Sequence, residues 1–62
     1  MAVYFITNNR RTVFGQTMRE CAYKIQQENQ KVNPQWAGFP IDAVLKLCAD
    51  HGYRAGKIDI GI

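Results

Sequence analysis

Hydrophobic and polar positions along this chain fall into runs of β-formers, helical stripes and a strict alternation, and each pattern marks a kind of element. Residues 2–7, AVYFIT, and about 12–16, TVFGQ, are rich in β-branched and aromatic side chains and read as strands. Four polar residues, Asn8, Asn9, Arg10 and Arg11, separate them. Paired asparagines tolerate positive φ, so Asn8-Asn9 is the expected turn nucleus. A four-residue loop sets Ile6 opposite Val13 and Phe5 opposite Phe14, whereas a two-residue loop would set Ile6 opposite Arg11. The longer loop keeps both arginines off the apolar faces and is the predicted register.

The period then lengthens. Thr17-Met-Arg-Glu20 is a capping box, in which the Thr17 hydroxyl accepts from the Glu20 amide and Glu20 reaches back. It opens a helix predicted over 18–30, with Met18, Cys21, Ala22 and Ile25 on its apolar stripe and Val32 in phase just beyond. Asn33-Pro34 stops it, because a residue before proline avoids the helical region. After a loop carrying Trp36 and Phe39, Pro40 opens a second helix over 40–51. Ile41, Val44, Leu45, Leu47 and Cys48 give it a broad apolar face, and Gly52 is placed to end it in a left-handed cap. Residues 57–62, KIDIGI, alternate strictly, which predicts a half-buried strand with Ile58, Ile60 and Ile62 on one face and Lys57, Asp59 and Gly61 on the other.

The predicted fold is one α+β domain over 1–62, in the order ββααβ: a three-stranded, mainly antiparallel sheet packed with two helices. Pairing of the last strand beside the first would place the first centrally, but the pattern does not require it. The hairpin is apolar on both sides. Val3, Phe5 and Phe14 lie on one, and Tyr4, Ile6 and Val13 on the other. Two outcomes follow. One helix covers each face, or both helices cover one face and the other is left as an interaction surface. On the second outcome Val3, Tyr4, Phe5 and Trp36 are the expected protein-interface residues. Trp36 and Phe39 have the alternative role of lidding the core.

Composition narrows the partners. A chain of 62 residues supports one small core of marginal stability. Two cysteines and one histidine are too few for a four-ligand zinc site or a disulfide framework, which leaves oligomerisation as the expected supplement, a homodimer in the first instance. Cys21 and Cys48 fall on the apolar helix faces and read as buried thiols. No apolar run approaches the length of a membrane span of about 18 residues. The basic residues near the start follow the apolar run instead of preceding it, unlike a secretory signal, so a cytoplasmic location is expected.

The net charge is +3, and it is uneven. Residues 1–31 hold Arg10, Arg11, Arg19, Lys24 and Lys31 against Glu20 and Glu28; in 32–62, Lys46, Arg54 and Lys57 balance Asp42, Asp50 and Asp59. A basic first half points to an anionic partner. Arginine forks bind phosphate and asparagine reads base edges, so Asn8, Asn9, Arg10 and Arg11 form one candidate nucleic-acid surface. Arg19, Tyr23 and Lys24 form another, because Tyr23 sits opposite the apolar stripe among Arg19, Gln26, Gln27 and Gln30, where a ring can stack on a base. The same residues also serve plain solubility at a turn and a helix surface. No catalytic constellation, phosphate loop, paired carboxylates, metal set or cofactor motif is present in the sequence. The expected function is therefore a non-enzymatic regulator contacting nucleic acid through the basic tip and first helix. The alternative is a protein-interaction module, of inhibitor, adaptor or antitoxin-like kind, using an apolar sheet face.

Overall fold

A computed structural model describes residues 1–61. The elements run β1 (Ala2–Thr7), β2 (Thr12–Gly15), α1 (Met18–Gln30), a 3-10 helix (Pro34–Gly38), α2 (Ile41–Asp50) and β3 (Arg54–Asp59). This is the expected ββααβ order. The strands form one antiparallel sheet in the order β2-β1-β3, so β1 is central.

The hairpin has the four-residue loop, with Phe5 paired to Phe14 and Ile6 to Val13. Its turn is built differently from expectation. No non-glycine residue has a positive φ among the described residues. Instead the Asn8 carboxamide oxygen accepts the amides of Arg10 (2.8 Å) and Arg11 (2.7 Å), and the Asn8 amide donates to the Arg11 carbonyl at 2.9 Å. The side chain of Asn8 thus replaces a backbone turn with a local one.

Helix α1 starts as predicted, with the Glu20 amide donating to the Thr17 hydroxyl at 3.1 Å. The Glu20 carboxylate reaches one residue further back than a standard capping box, accepting from the Gln16 amide at 2.9 Å. The helix closes at Gln30, before Val32 comes round. Asn33 and Val32 both donate to the Asn29 carbonyl, and Val32 is left 80% exposed instead of extending the apolar stripe. The segment read as a loop is a 3-10 helix led by Pro34. Pro40 is the cap of α2 and not its first residue: its ψ of 152° is extended, while its carbonyl accepts the first helical bond from Val44. At the other end Gly52, at φ 83°, carries a left-handed cap, with Gly52 donating to Ala49 and Tyr53 to Cys48.

That cap turns the chain straight into β3, which begins at Arg54 opposite Thr7, three residues earlier than the alternation suggested. The strand is assigned only to Asp59, although Ile60 still donates to the Met1 carbonyl at 2.7 Å. Ile62 lies outside the described residues. Residues directly opposite in an antiparallel pair share a face. The pairs Phe5–Phe14, Phe5–Gly56 and Val3–Ile58 therefore define one face, and Ile6–Val13, Ile6–Ala55 and Tyr4–Lys57 the other. Ile6 is 1% exposed and packs in one core with Cys21, Ala22 and Ile25 of α1, Trp36, and Val44 and Cys48 of α2. Both helices lie on the Ile6 side.

Candidate functional site

With both helices on one side, the other face of the sheet stands open. Its rows are ordered by chemistry. Nearest the hairpin tip lie Thr7, Thr12 and Arg54, with the two threonine hydroxyls 2.6 Å apart. The next row is Phe14, Phe5 and Gly56, and beyond it come Val3 and Ile58. Phe14 is 51% exposed and Ile58 48%, while Val3 and Phe5 are half-buried. Phe5 owes its partial cover to its neighbour strand. Its ring lies over Gly56 so closely that a Cβ there would sit 2.5 Å from the ring's Cζ. A groove of about 570 Å³ continues the face around the β2 end, lined by Met1, Val3 and Phe14, with Glu20 and Lys24 at its rim.

The expected half-burial of the β3 isoleucines is overturned. Ile58 and Ile60 are exposed, and the strand's alternation turns Ile58 to the open face while Lys57 and Asp59 lie on the helix side. Helix α1 packs over β1 and β2, while α2 packs mainly against α1 and touches β3 only lightly, so the polar side chains of β3 stay in water on the covered side. The exposed apolar face is thus larger than the hairpin alone implies. Phe14 and Ile58 are the residues that sequence reasoning left out of the interface. Phe14 shares the face of Val3 and Phe5 in the hairpin pattern, and the alternation of 57–62 groups Ile58 with its isoleucine neighbours but does not show which face the helices cover.

Of the four expected protein-interface residues, Val3 and Phe5 belong to this face. Tyr4 does not; its register puts it on the helix side, half-buried against the core. Trp36 does not either. It is buried and tilted against Phe39, with ring centroids 5.8 Å apart, and so takes the lid role. Gln26 completes that lid. Expected on the exposed face beside Tyr23, it is 6% exposed, and its Nε2 donates to the carbonyls of Trp36 (2.6 Å) and Phe39 (2.9 Å).

The expected nucleic-acid residues are not gathered into one patch. Asn8 spends its carboxamide oxygen on the turn. Arg11 leans on α1 and pairs with Glu28 at 3.6 Å, and Arg19 pairs with Asp42 at 3.8 Å. Lys24 pairs with Glu20 and donates to the outward carbonyl of Phe14 at 2.6 Å, which blunts the β2 edge. Among the described residues, Arg10 alone of these four cations has no carboxylate partner, and Asn9 beside it is exposed. Tyr23 is about half exposed, and its phenol oxygen accepts from Gln27 Nε2 at 3.0 Å. Nine helical positions separate Arg19 from Glu28, the partner of Arg11, which is about 14 Å at 1.5 Å per residue. The tip and the start of α1 are therefore held about 14 Å apart along the helix and do not form one patch.

Both cysteines are free and buried, and burial pushes each thiol above its ordinary value of 9.0. Desolvation is the largest influence on Cys21, ahead of the opposing Lys24 charge, and the cause for Cys48. A raised thiol pKa is the reverse of what a nucleophilic cysteine needs. Among the described residues no three His, Cys, Asp or Glu side chains gather as a metal set, and no helix is long and apolar enough to cross a membrane.

No family model matches the chain, and neither the curated proteins nor the solved structures searched contain a match.

Proposed function

We propose that this chain is a non-enzymatic protein-binding module whose docking surface is the open sheet face formed by Val3, Phe5, Phe14 and Ile58. The observation that carries the reading is the placement of both helices on the Ile6 side, which leaves two large apolar side chains about half exposed on the other. Contiguous exposed apolar surface with a polar rim is what protein-binding surfaces present, and aromatics are their usual anchors. The partner surface is apolar and fits against a flat row of Phe14 and Phe5, with Arg54, Thr7 and Thr12 bordering it. The test is affinity purification from the native cells, with nuclease present and absent, comparing wild type with Phe14→Glu. A partner that is retained by wild type after nuclease treatment and lost with Phe14→Glu supports the reading. Recovery that survives Phe14→Glu but not nuclease contradicts it.

A second reading, nucleic-acid binding, is favoured by Arg10, which has no carboxylate partner among the described residues and sits at the exposed tip, and by the positive excess of the first half. On that reading Arg10, Arg11, Arg19 and Lys24 hold phosphates and Tyr23 stacks on a base. Binding then falls steeply with salt, and Arg10→Ala/Arg11→Ala lowers the log–log slope by about two, at about 0.9 per phosphate contact on duplex DNA. Equal binding by wild type and the double variant at low salt would remove it.

A further inference from the structure

We infer that two copies of this chain pair edge to edge through β3, around a two-fold axis at Ile58, to make one continuous six-stranded sheet. The two outer edges of the sheet are not alike. That of β2 is short, and Lys24 occupies the outward Phe14 carbonyl. The β3 edge is six residues long and carries no proline. Along it every residue but the half-buried Gly56 is exposed, and on the helix side Ala55, Lys57 and Asp59 all face water, so no helix overhangs it.

The direction of its free backbone groups follows from the pairing on the other side. Ile60 exchanges bonds with Met1, its amide donating to Met1 and its carbonyl accepting from the Met1 terminal amine. Hydrogen-bonded positions alternate along an antiparallel strand. Ile58 and Gly56 therefore face β1, while Ala55, Lys57 and Asp59 point their N–H and C=O groups outward. An unpaired row of this kind is a template for another strand.

The side chains select the partner and the register. Centred on Ile58, the antiparallel pairing sets Lys57 opposite Asp59 of the second copy, and Asp59 opposite its Lys57. These are both outward-facing positions, so each pair exchanges two main-chain hydrogen bonds. Unlike charges directly opposite stabilise a sheet, and like charges destabilise it. The neighbouring registers that keep the same faces together lack this match. Centring on Lys57 sets Lys57 against itself, and centring on Gly56 sets Lys57 against Ala55. Within one chain Lys57 and Asp59 pair only loosely, at 3.9 Å and with the Asp59 side chain 81% exposed, so both are free to exchange partners. The Ile58 side chains of the two copies then meet on the open face. The pairing rests on the backbone and charges of the strand edge and shares only Ile58 with the docking surface, so the charge-reversal test reads it separately from the docking reading.

Charge reversal tests it by sedimentation at ~10–100 μM, where mass action favours assembly. Wild type is expected to be a dimer. Lys57→Asp and Asp59→Lys are each expected to weaken it about tenfold or more by placing like charges opposite one another. An equal mixture of the two variants restores dimers, because each then meets the opposite sign at both positions. A wild type that stays monomeric, variants that dimerise as well as wild type, or a mixture that stays monomeric overturns the inference. Amide exchange on wild type gives a reading that needs no variant. The Lys57 and Asp59 amides slow as concentration rises, and exchange that is equally fast at every concentration contradicts the pairing.

Discussion

Gln26 shows how much one buried amide holds. Its Nε2 bridges two carbonyls of the segment that carries Trp36 and Phe39, so it fixes the lid over the core. Gln26→Ala leaves those carbonyls without a donor and is expected to cost about 1–3 kcal/mol, seen as a lower denaturant midpoint and greater Trp36 solvent exposure by fluorescence quenching. Gly56 acts by absence. A methyl group there meets the Phe5 ring, so Gly56→Ala is expected to cost about 1–3 kcal/mol, the range for overpacking. Shortening Phe5 to Val in the same chain recovers part of that loss, because contacting sites do not add. The two buried thiols set a pH dependence. Each has its pKa raised in the fold, so the unfolded chain loses the proton first. The thiol contribution to stability is whole below the ordinary value of 9.0 and declines as pH rises beyond it. Cys21→Ser/Cys48→Ser flattens that alkaline decline, and a thiol reagent labels native wild type slowly and the unfolded chain fast.

At the scale of elements, the ends of α1 and α2 rest on local chemistry that is written in neighbouring residues. Thr17→Ala removes the acceptor of the Glu20 amide and is expected to cost about 1 kcal/mol, with lower helicity by circular dichroism. Such caps were legible in the sequence, as were the hairpin register and the Gly52 stop, because each depends on a few adjacent side chains. Three features were not. Gln26 reads as a surface residue from its helical neighbours, and only the return of the 3-10 segment across α1 buries it. The β3 alternation showed which residues share a face but not which face is covered, since that depends on where the helices lie. The cations were legible as a basic half, but Glu28 and Asp42 neutralise two of them across elements, which sequence spacing does not show; only the Glu20–Lys24 pair lies within one helix.

The whole molecule is a sheet with a core on one side only. Its surface area of 4542 Å² exceeds the roughly 4100 Å² that the size scaling gives for a compact chain of 7.1 kDa, in keeping with an elongated molecule and an uncovered sheet face. The central claim is that Ile6 faces the core while Phe14 and Ile58 face out, and chemical denaturation of three variants tests it most directly. Ile6→Ala is expected to cost about 2–5 kcal/mol, enough to unfold most of a domain this small. Phe14→Thr and Ile58→Thr each place a strand-favouring β-branched residue on an exposed strand and are expected to cost about 1 kcal/mol or less. If Phe14→Thr or Ile58→Thr, measured in dilute solution, costs as much as Ile6→Ala, that face is covered within the folded chain and the docking surface does not exist.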